Sequence, residues 1–170
     1  MVHLILREGI DGASVAKIAK EAGVSPATIY VYYENKEDML SEVFREYSRS
    51  SYRYLMKQVY PEMSGEQLIR AIVKGAYAYA LENEEIFSFV EQCSRNPALQ
   101  ECVCESDCCL DIFELLHRYQ EHGIMRRYSD QNLAAILFPP VRFLVMNYRN
   151  SETQDQLDEL IAMLQRMLLY

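Results

Sequence analysis

Residues 14–33 contain two short amphipathic segments on either side of a joint at residues 23–25, and this arrangement restricts the fold more than any other part of the chain. Ser14 and Ser25 each suit the N-cap of a helix, because a hydroxyl can accept a hydrogen bond from a free N–H of the first turn. Gly23 suits the end of the first helix, where the backbone needs a positive φ. The pattern predicts two helices joined by a tight turn.

The two predicted helices have to cross closely. Pro26 falls at the first position of the second helix, where its missing N–H costs nothing. Ala19 is small where a larger side chain would hold the helices apart. We expect the helices to touch through Ile18, Ala22, Val24, Ile29 and Tyr32. The segment therefore predicts a helix-turn-helix, whose second helix enters the major groove of DNA.

The composition of the whole chain predicts an all-α fold. The 170 residues are 50% hydrophobic, with only 6 Gly and 5 Pro. Alternating runs of β-branched residues, the usual signal for strands, are absent. We expect an N-terminal three-helix bundle that contains the helix-turn-helix over residues 1–46. A C-terminal helical domain should follow over residues 47–170.

Helical spacing and turn residues also predict the later elements. A helix over about residues 36–60 should contain the domain boundary and so couple the two parts mechanically. A long helix should cover residues 98–121. Another, over residues 129–150, should be interrupted at Pro139 and Pro140, because proline removes a backbone donor.

The charge balance does not by itself predict a DNA-binding protein. The formal net charge is −8, and residues 1–50 hold six basic against eight acidic side chains. Binding depends on where the basic groups lie rather than on their sum. Lys17, Lys20 and Lys36 are placed to face phosphates while the acidic groups face elsewhere.

The sequence also predicts where the chain works and the state of its thiols. No apolar run is long enough to span a membrane, and the N-terminal run is too short for a signal peptide. We expect a soluble, cytoplasmic protein with no membrane partner. An odd count of five cysteines favours free thiols over disulfides. Packing in the core is favoured over a thiol sensor for Cys93, Cys102, Cys104, Cys108 and Cys109.

Patterns for catalysis and for metal binding are missing. Zinc-finger spacing, a glycine-rich phosphate loop and a serine nucleophile motif are all absent from the sequence. We expect no metal, no cofactor and no enzyme activity. A thiol-dependent enzyme that combines a cysteine with His117 stays as a remote alternative.

One stretch of the chain resembles the tetracycline-repressor (TetR) family of transcriptional regulators, and the resemblance covers roughly residues 4–47. The Thr-x-Tyr-x-Tyr segment followed by a Lys-Glu helix start makes the match more specific than a helix-turn-helix alone. The rest of the chain matches only in helical layout. The residues that carry the match are Ala13-Ser14-Val15-x2-Ile18-Ala19-x2-Ala22-Gly23-Val24-Ser25-x2-Thr28-Ile29-Tyr30-x-Tyr32-Tyr33-x2-Lys36-Glu37-Asp38-Met39-Leu40.

The resemblance implies a homodimer that binds double-stranded DNA. N-terminal residues of a recognition helix meet base edges, and hydroxyl and basic side chains meet phosphates. Tyr30 should point outward and donate to a phosphate, whereas Tyr32 should lie mainly in the core. Lys36 is a cation at a helix start, where it opposes the helix dipole, and a phosphate would explain it. The predicted DNA-binding residues are Ser14, Lys17, Ser25, Pro26, Ala27, Thr28, Tyr30, Tyr32 and Lys36.

The C-terminal domain is expected, by the same resemblance, to bind a small effector and to dimerise. Aromatic residues on the helices predicted to line the cavity favour an apolar or aromatic effector. The candidate effector residues are Tyr77, Phe87, Phe113 and His117. The resemblance implies that the last two helices form a four-helix dimer interface, and the last helix has an apolar stripe that suits this role. The stripe also includes Met167. The candidate interface residues are Leu157, Leu160, Ile161, Leu164 and Leu168.

Two functions therefore stay open from the sequence. The first is a ligand-responsive regulator, expected to be a repressor, that binds a palindromic operator as a homodimer. The second is an interaction protein: a similar dimer in which DNA binding is weakened, because the chain starts inside the family's first helix. Val31 also stands where the family often has a polar residue.

Overall fold

The computed structural model of the chain describes residues 1–96, 99, 107–147 and 153–170. These residues form helices and connecting turns with no β-strand, apart from one isolated bridge between Met125 and Leu169. The predicted all-α fold is confirmed. The helices are α1 Val2–Gly12, α2 Val15–Ala22, α3 Pro26–Tyr30, α4 Lys36–Met56, α5 Gly65–Glu82, α6 Glu84–Ser94, α7 Asp107–Glu121, α8 Asp130–Asn147 and α9 Thr153–Leu168.

The first compact unit consists of Met1–Ser50 together with Asn83–Ser106. In this unit α6 packs against α1, and α2 packs against α3. Its core is a single cluster to which every one of these helices contributes a buried apolar residue. Among them are Leu4, Ile18, Ile29, Phe44 and Phe89. The sequence had not indicated that α6 belongs with the N-terminal helices.

The second compact unit consists of Ser51–Glu82 together with Asp107–Tyr170. Here α5 packs against α8 and α9, and α9 packs against α8. The core is aliphatic and larger than that of the first unit. Its fully buried side chains include Leu68, Ile69, Ile72, Ile112, Leu116, Met125, Leu133 and Ile161.

The chain passes from one unit to the other three times, and two of these passages lie within the described residues. Helix α4 continues through the boundary between Ser50 and Ser51, and Asn83 alone separates α5 from α6. The predicted domain boundary between residues 46 and 47 separates a DNA-binding domain from an effector-binding domain, so it is a division by function. Because packing does not test those activities, that division stays a prediction.

Three predicted helices differ in detail from the observed ones. Helix α4 ends at Met56 rather than near residue 60. Helix α8 runs without interruption through Pro139 and Pro140, which remove two donors from its hydrogen-bond ladder but do not end it. The start of the helix predicted over residues 98–121 lies outside the described residues, which show α7 from Asp107.

Candidate nucleic-acid interface

The turn between α2 and α3 is closed by backbone hydrogen bonds. Gly23 has φ 69° and ψ 25°, the left-handed conformation that the sequence predicted. The N–H of Val24 donates to the carbonyl of Ala19 at 3.0 Å, and the N–H of Gly23 donates to that of Lys20 at 3.2 Å. This pair of bonds is the Schellman ending of a helix. It fixes the direction in which the chain enters α3.

Side-chain caps then begin the next helices. Ser14 Oγ accepts from the N–H of Lys17 at 3.3 Å, and Ser25 Oγ accepts from the N–H of Thr28 at 3.1 Å. The two hydroxyls of Ser25 and Thr28 also lie 2.9 Å apart and share a hydrogen bond. Asn35 Oδ1 accepts from the N–H of Asp38 at 2.8 Å. The predicted caps are confirmed.

The contact between α2 and α3 is narrower than predicted. Ile18, Ala19 and Ile29 are buried. Ala22, Val24 and Tyr32, which we expected in the same contact, are exposed. The prediction for Tyr32 is wrong because α3 ends at Tyr30, so helical spacing no longer fixes the direction of the following side chains.

Exposed apolar and aromatic side chains therefore lie at the C-terminal end of α3, the second helix of the helix-turn-helix, and directly after it. Tyr30 is 56% exposed, and Val31 and Tyr32 are each 76% exposed. The first residues of α3, from Pro26 to Thr28, are exposed as well. A short, capped helix that presents its N-terminal residues and an aromatic end to solvent suits contact with a groove and with phosphates.

The three lysines predicted to face phosphates differ in their surroundings. Lys17 Nζ lies 2.7 Å from Glu8 Oε2 and donates to the carbonyl of Gly12 at 2.9 Å. Lys36 is half-buried, and its Nζ donates to the carbonyl of Ile10 at 3.2 Å. Lys20 is exposed in the last turn of α2 and has no ion pair within the described part of the chain. Lys20 is therefore the cation best placed for a phosphate, although the list of predicted DNA-binding residues contains Lys17 and Lys36 and not Lys20.

A charged network joins α1 to α2. Besides the pair between Glu8 and Lys17, Arg7 lies 3.1 Å from Glu8 Oε1 and 3.5 Å from Glu21 Oε1. The hydrogen bonds from Lys17 and then from Arg7 hold the pKa of Glu8 below its usual value. These contacts orient the helix-turn-helix on α1, a role that sequence spacing did not reveal.

The four predicted effector residues lie in different surroundings, and their role stays a prediction. Phe87 belongs to the first unit, whereas the other three belong to the second. Phe113 lies in the second core, and Tyr77 packs against that core. His117 is 44% exposed, with Nε2 placed 2.6 Å from Asp130 Oδ1. His117 thus pairs with a carboxylate that is itself half exposed.

A groove of about 390 Å³ is present elsewhere in the second unit, and we name it the α4–α5 groove. No residue predicted for the effector lines it. A possible signal in the sequence was the spacing of small residues along α5, which leaves space beside the helix. The lining residues are Tyr54, Gln58, Tyr60, Met63, Gln67, Arg70, Ala71, Lys74, Gly75 and Ala78.

The predicted apolar stripe of α9 turns towards its own chain. Leu157, Ile161, Leu164 and Leu168 are each at most 2% exposed and belong to the second core, and Leu160 is partly buried against it. The spacing of apolar residues along α9 predicts an apolar face correctly, but the chain itself buries that face against α5 and α8. Different apolar residues of these helices are exposed: Phe143 and Met146 on α8, and Met163 and Met167 on α9.

Cys93 lies in the first core and is fully buried, which raises the pKa of its thiol to about 12. This agrees with packing rather than sensing for that residue. Cys102 and Cys104, and the side chains of Cys108 and Cys109, lie outside what the structure describes. Within the described residues, no group of three or more metal-binding side chains occurs, and no helix is long and apolar enough to cross a membrane.

The turn, the caps and the exposed second helix define a helix-turn-helix module. The model of the family "Bacterial regulatory proteins, tetR family" matches residues 2–43. An HTH-type transcriptional regulator of Haemophilus influenzae, itself uncharacterised, is 31% identical over 135 residues, which are 77% of this chain and 70% of that protein. The chain therefore belongs to the TetR family of bacterial transcriptional regulators.

Further comparisons agree with this assignment. The fatty acid metabolism regulator protein of Bacillus subtilis is 49% identical over 45 residues, which are 26% of this chain and 23% of that protein. A crystal structure of a TetR-family protein from Shewanella sp. PV-4 has a TM-score of 0.87 at 20% identity, covering 99% of this chain and 94% of the other. That likeness concerns the fold. The family and the relatives are described as transcription regulators.

Proposed function

We propose that the protein is a homodimeric repressor that binds a palindromic operator and is released from it by a small apolar or aromatic effector. The observation that carries the proposal is the capped helix-turn-helix with an exposed recognition helix. As a regulator of transcription it works on the chromosome, in the cytoplasm. Two recognition helices in a dimer would lie about one turn of DNA apart.

The proposed DNA contacts are divided between bases and phosphates. The exposed start of α3, from Ser25 to Thr28, approaches base edges. The hydroxyls of Tyr30 and Tyr32 and the ammonium of Lys20 contact phosphates, which position the protein without reading sequence. The ammonium groups of Lys17 and Lys36 bind to α1, so these lysines hold the helix-turn-helix on α1 rather than contact DNA.

The proposed dimer uses exposed rows of α8 and α9 rather than the buried leucines. Phe143 is 57% exposed and Met146 53%, while Met163 is 52% exposed and Met167 41%. Large apolar side chains grouped on two packed helices are typical of a surface that another subunit covers. This keeps the predicted dimer and replaces most of the residues predicted to form it.

Release by an effector requires only a modest coupling of the two sites. A coupling free energy of about 1–3 kcal/mol changes operator affinity roughly 5–150-fold. Helix α4 begins beside the recognition helix and ends in the second unit, so a shift of α4 would change the spacing of the recognition helices. Its continuity supports this route.

The test is binding to a palindromic sequence from the gene's own upstream region, measured by fluorescence anisotropy against a scrambled duplex. Tyr30→Phe removes one hydroxyl and should weaken operator binding about five- to tenfold, the effect of one lost hydrogen bond in each protomer. Tyr60→Phe is the matched control, because Tyr60 is 55% exposed but lies in the other unit. Equal affinity for operator and scrambled duplexes would favour the interaction protein instead.

A further inference from the structure

The α4–α5 groove has a lining that is chemically uneven. Two cations, Arg70 and Lys74, and two tyrosines, Tyr54 and Tyr60, line it together with uncharged residues, and its lining contains no carboxylate. A volume of about 390 Å³ falls in the range of small-molecule sites. The groove is thus large enough for one compact organic molecule.

Its charge is positive in a chain whose net charge is −8. Arg70 Nη1 and Lys74 Nζ lie 3.1 Å and 3.2 Å from the same oxygen of Asp158. Within this cluster of three groups, two positive charges meet one negative charge. Asp158 holds both cations on the same side of the groove without neutralising them.

The tyrosines supply an aromatic wall. The hydroxyl of Tyr54 donates to Glu82 Oε1 at 3.1 Å, and its ring meets that of Tyr79 edge-on, with centroids 5.3 Å apart. These two contacts fix the Tyr54 ring before any ligand arrives. Tyr60 is 55% exposed, so a ligand can cover it without displacing other groups.

We infer that the α4–α5 groove binds a small organic anion, with a carboxylate held by Arg70 and Lys74 and an aromatic body against Tyr54 and Tyr60. This goes beyond the proposed function, because no residue predicted for the effector lines the groove and binding here requires no DNA. Hydrogen bonds between a cationic donor and a carboxylate are stronger than hydrogen bonds between neutral groups. Asp158 competes with the ligand for both cations.

The probe is 1-naphthoate, with the uncharged 1-naphthamide as its counterpart, titrated calorimetrically into the full chain. We expect naphthoate to bind at least about tenfold more tightly than naphthamide, and binding to weaken with added salt. Arg70→Met and Lys74→Met keep apolar bulk but remove charge, and each should weaken naphthoate binding about tenfold. Lys20→Met, in the other unit, should leave it unchanged.

Asp158→Asn separates this arrangement from a merely structural cluster. The substitution removes the competing carboxylate, so naphthoate should bind several-fold more tightly. Weaker binding in Asp158→Asn, equal binding of naphthoate and naphthamide, or no heat at millimolar naphthoate would each overturn the inference. Circular dichroism confirms that every variant is folded. None of these outcomes depends on operator binding, so failure here and failure of the proposed repressor are distinguishable.

Discussion

The two compact units are stabilised in different ways. In the first, α2 has 8 residues and α3 has 5, which is shorter than the roughly 12–15 residues that an isolated helix needs. Caps, a closed turn and surface ion pairs hold them, in addition to the few side chains that they bury in the first core. In the second, α5 and α8 each have 18 residues and bury continuous aliphatic faces. The short helices of the first unit thus depend on many weak local bonds, whereas the long helices of the second unit depend mainly on one large core.

A charge placed in the second core should have the largest effect on stability. Leu164→Asp should cost more than about 4 kcal/mol, because Leu164 is 2% exposed and the cluster that surrounds it contains apolar and aromatic side chains but no basic residue. Thermal unfolding followed by circular dichroism measures the loss. We expect an unfolded or aggregated protein rather than a folded monomer.

Met163→Asp is the matched control on the neighbouring residue of α9, which is 52% exposed. It should keep the melting temperature of the isolated protomer and abolish the dimer in sedimentation. A folded, monomeric Leu164→Asp would instead restore Leu164 to the interface and contradict the core packing described above.

Two glycine substitutions, one in each unit, should change the free energy of unfolding by smaller amounts. Gly23→Ala should destabilise the first unit by about 1–2 kcal/mol, since its φ of 69° is strained for any residue with a Cβ. No atom lies within 4 Å of the new methyl, so the cost comes from the backbone alone.

Gly75→Ala tests the opposite situation in the second unit. Gly75 has an ordinary helical backbone, and its new Cβ would lie 3.1 Å from Leu55 Cδ2, the end of a flexible side chain. The better helix propensity of alanine, about 1 kcal/mol, should offset that contact. Urea unfolding and amide exchange measure both variants, and a larger loss in Gly75→Ala than in Gly23→Ala would reverse the comparison.

The sequence allowed prediction where neighbouring residues determine the geometry. Gly23, Ser14 and Ser25 act on backbone groups within five residues, so the turn and both caps could be predicted. Leu164 could not be placed correctly, because spacing shows that a helix has an apolar face but not whether its own chain or a second subunit covers it. The pair of Glu8 and Lys17 depends on how α1 meets α2, and Tyr32 on where α3 ends. The α4–α5 groove likewise depends on packing between helices.

Removing one lysine charge at a time from the helix-turn-helix should change the salt dependence of operator binding. Lys20→Met should lower the salt slope of operator binding by about 1 for each protomer, because a lost phosphate contact no longer releases a counterion. Lys17→Met should leave the slope unchanged but loosen α1 from α2, since its ammonium already binds Glu8 and Gly12. Operator affinity measured between about 50 and 200 mM salt distinguishes the two lysines. Equal slopes for both variants would return Lys17 to the set of phosphate contacts.

The smallest expected effect is the response of the two units to acid. The pKa of Glu8 is below its usual 4.5 because of hydrogen bonds from Lys17 and Arg7, and the pKa of Asp158 is below its usual 3.8 because of Gln154 and Lys74. A carboxyl whose pKa falls on folding stabilises the protein above its unfolded pKa, and this stabilisation is lost as pH falls through the folded value. The first unit should therefore begin to weaken at a higher pH than the second.

Amide exchange of α1 and α2, compared with α5 and α9 while the pH is lowered from about 6 to about 3, measures the order of loss. Glu8→Gln should remove the acid response of α1 and α2 and leave that of α5 and α9. The effect is small because both groups lie at the surface, where water and salt screen ion pairs. An unchanged acid response in Glu8→Gln would show that contacts other than this network hold α2 on α1.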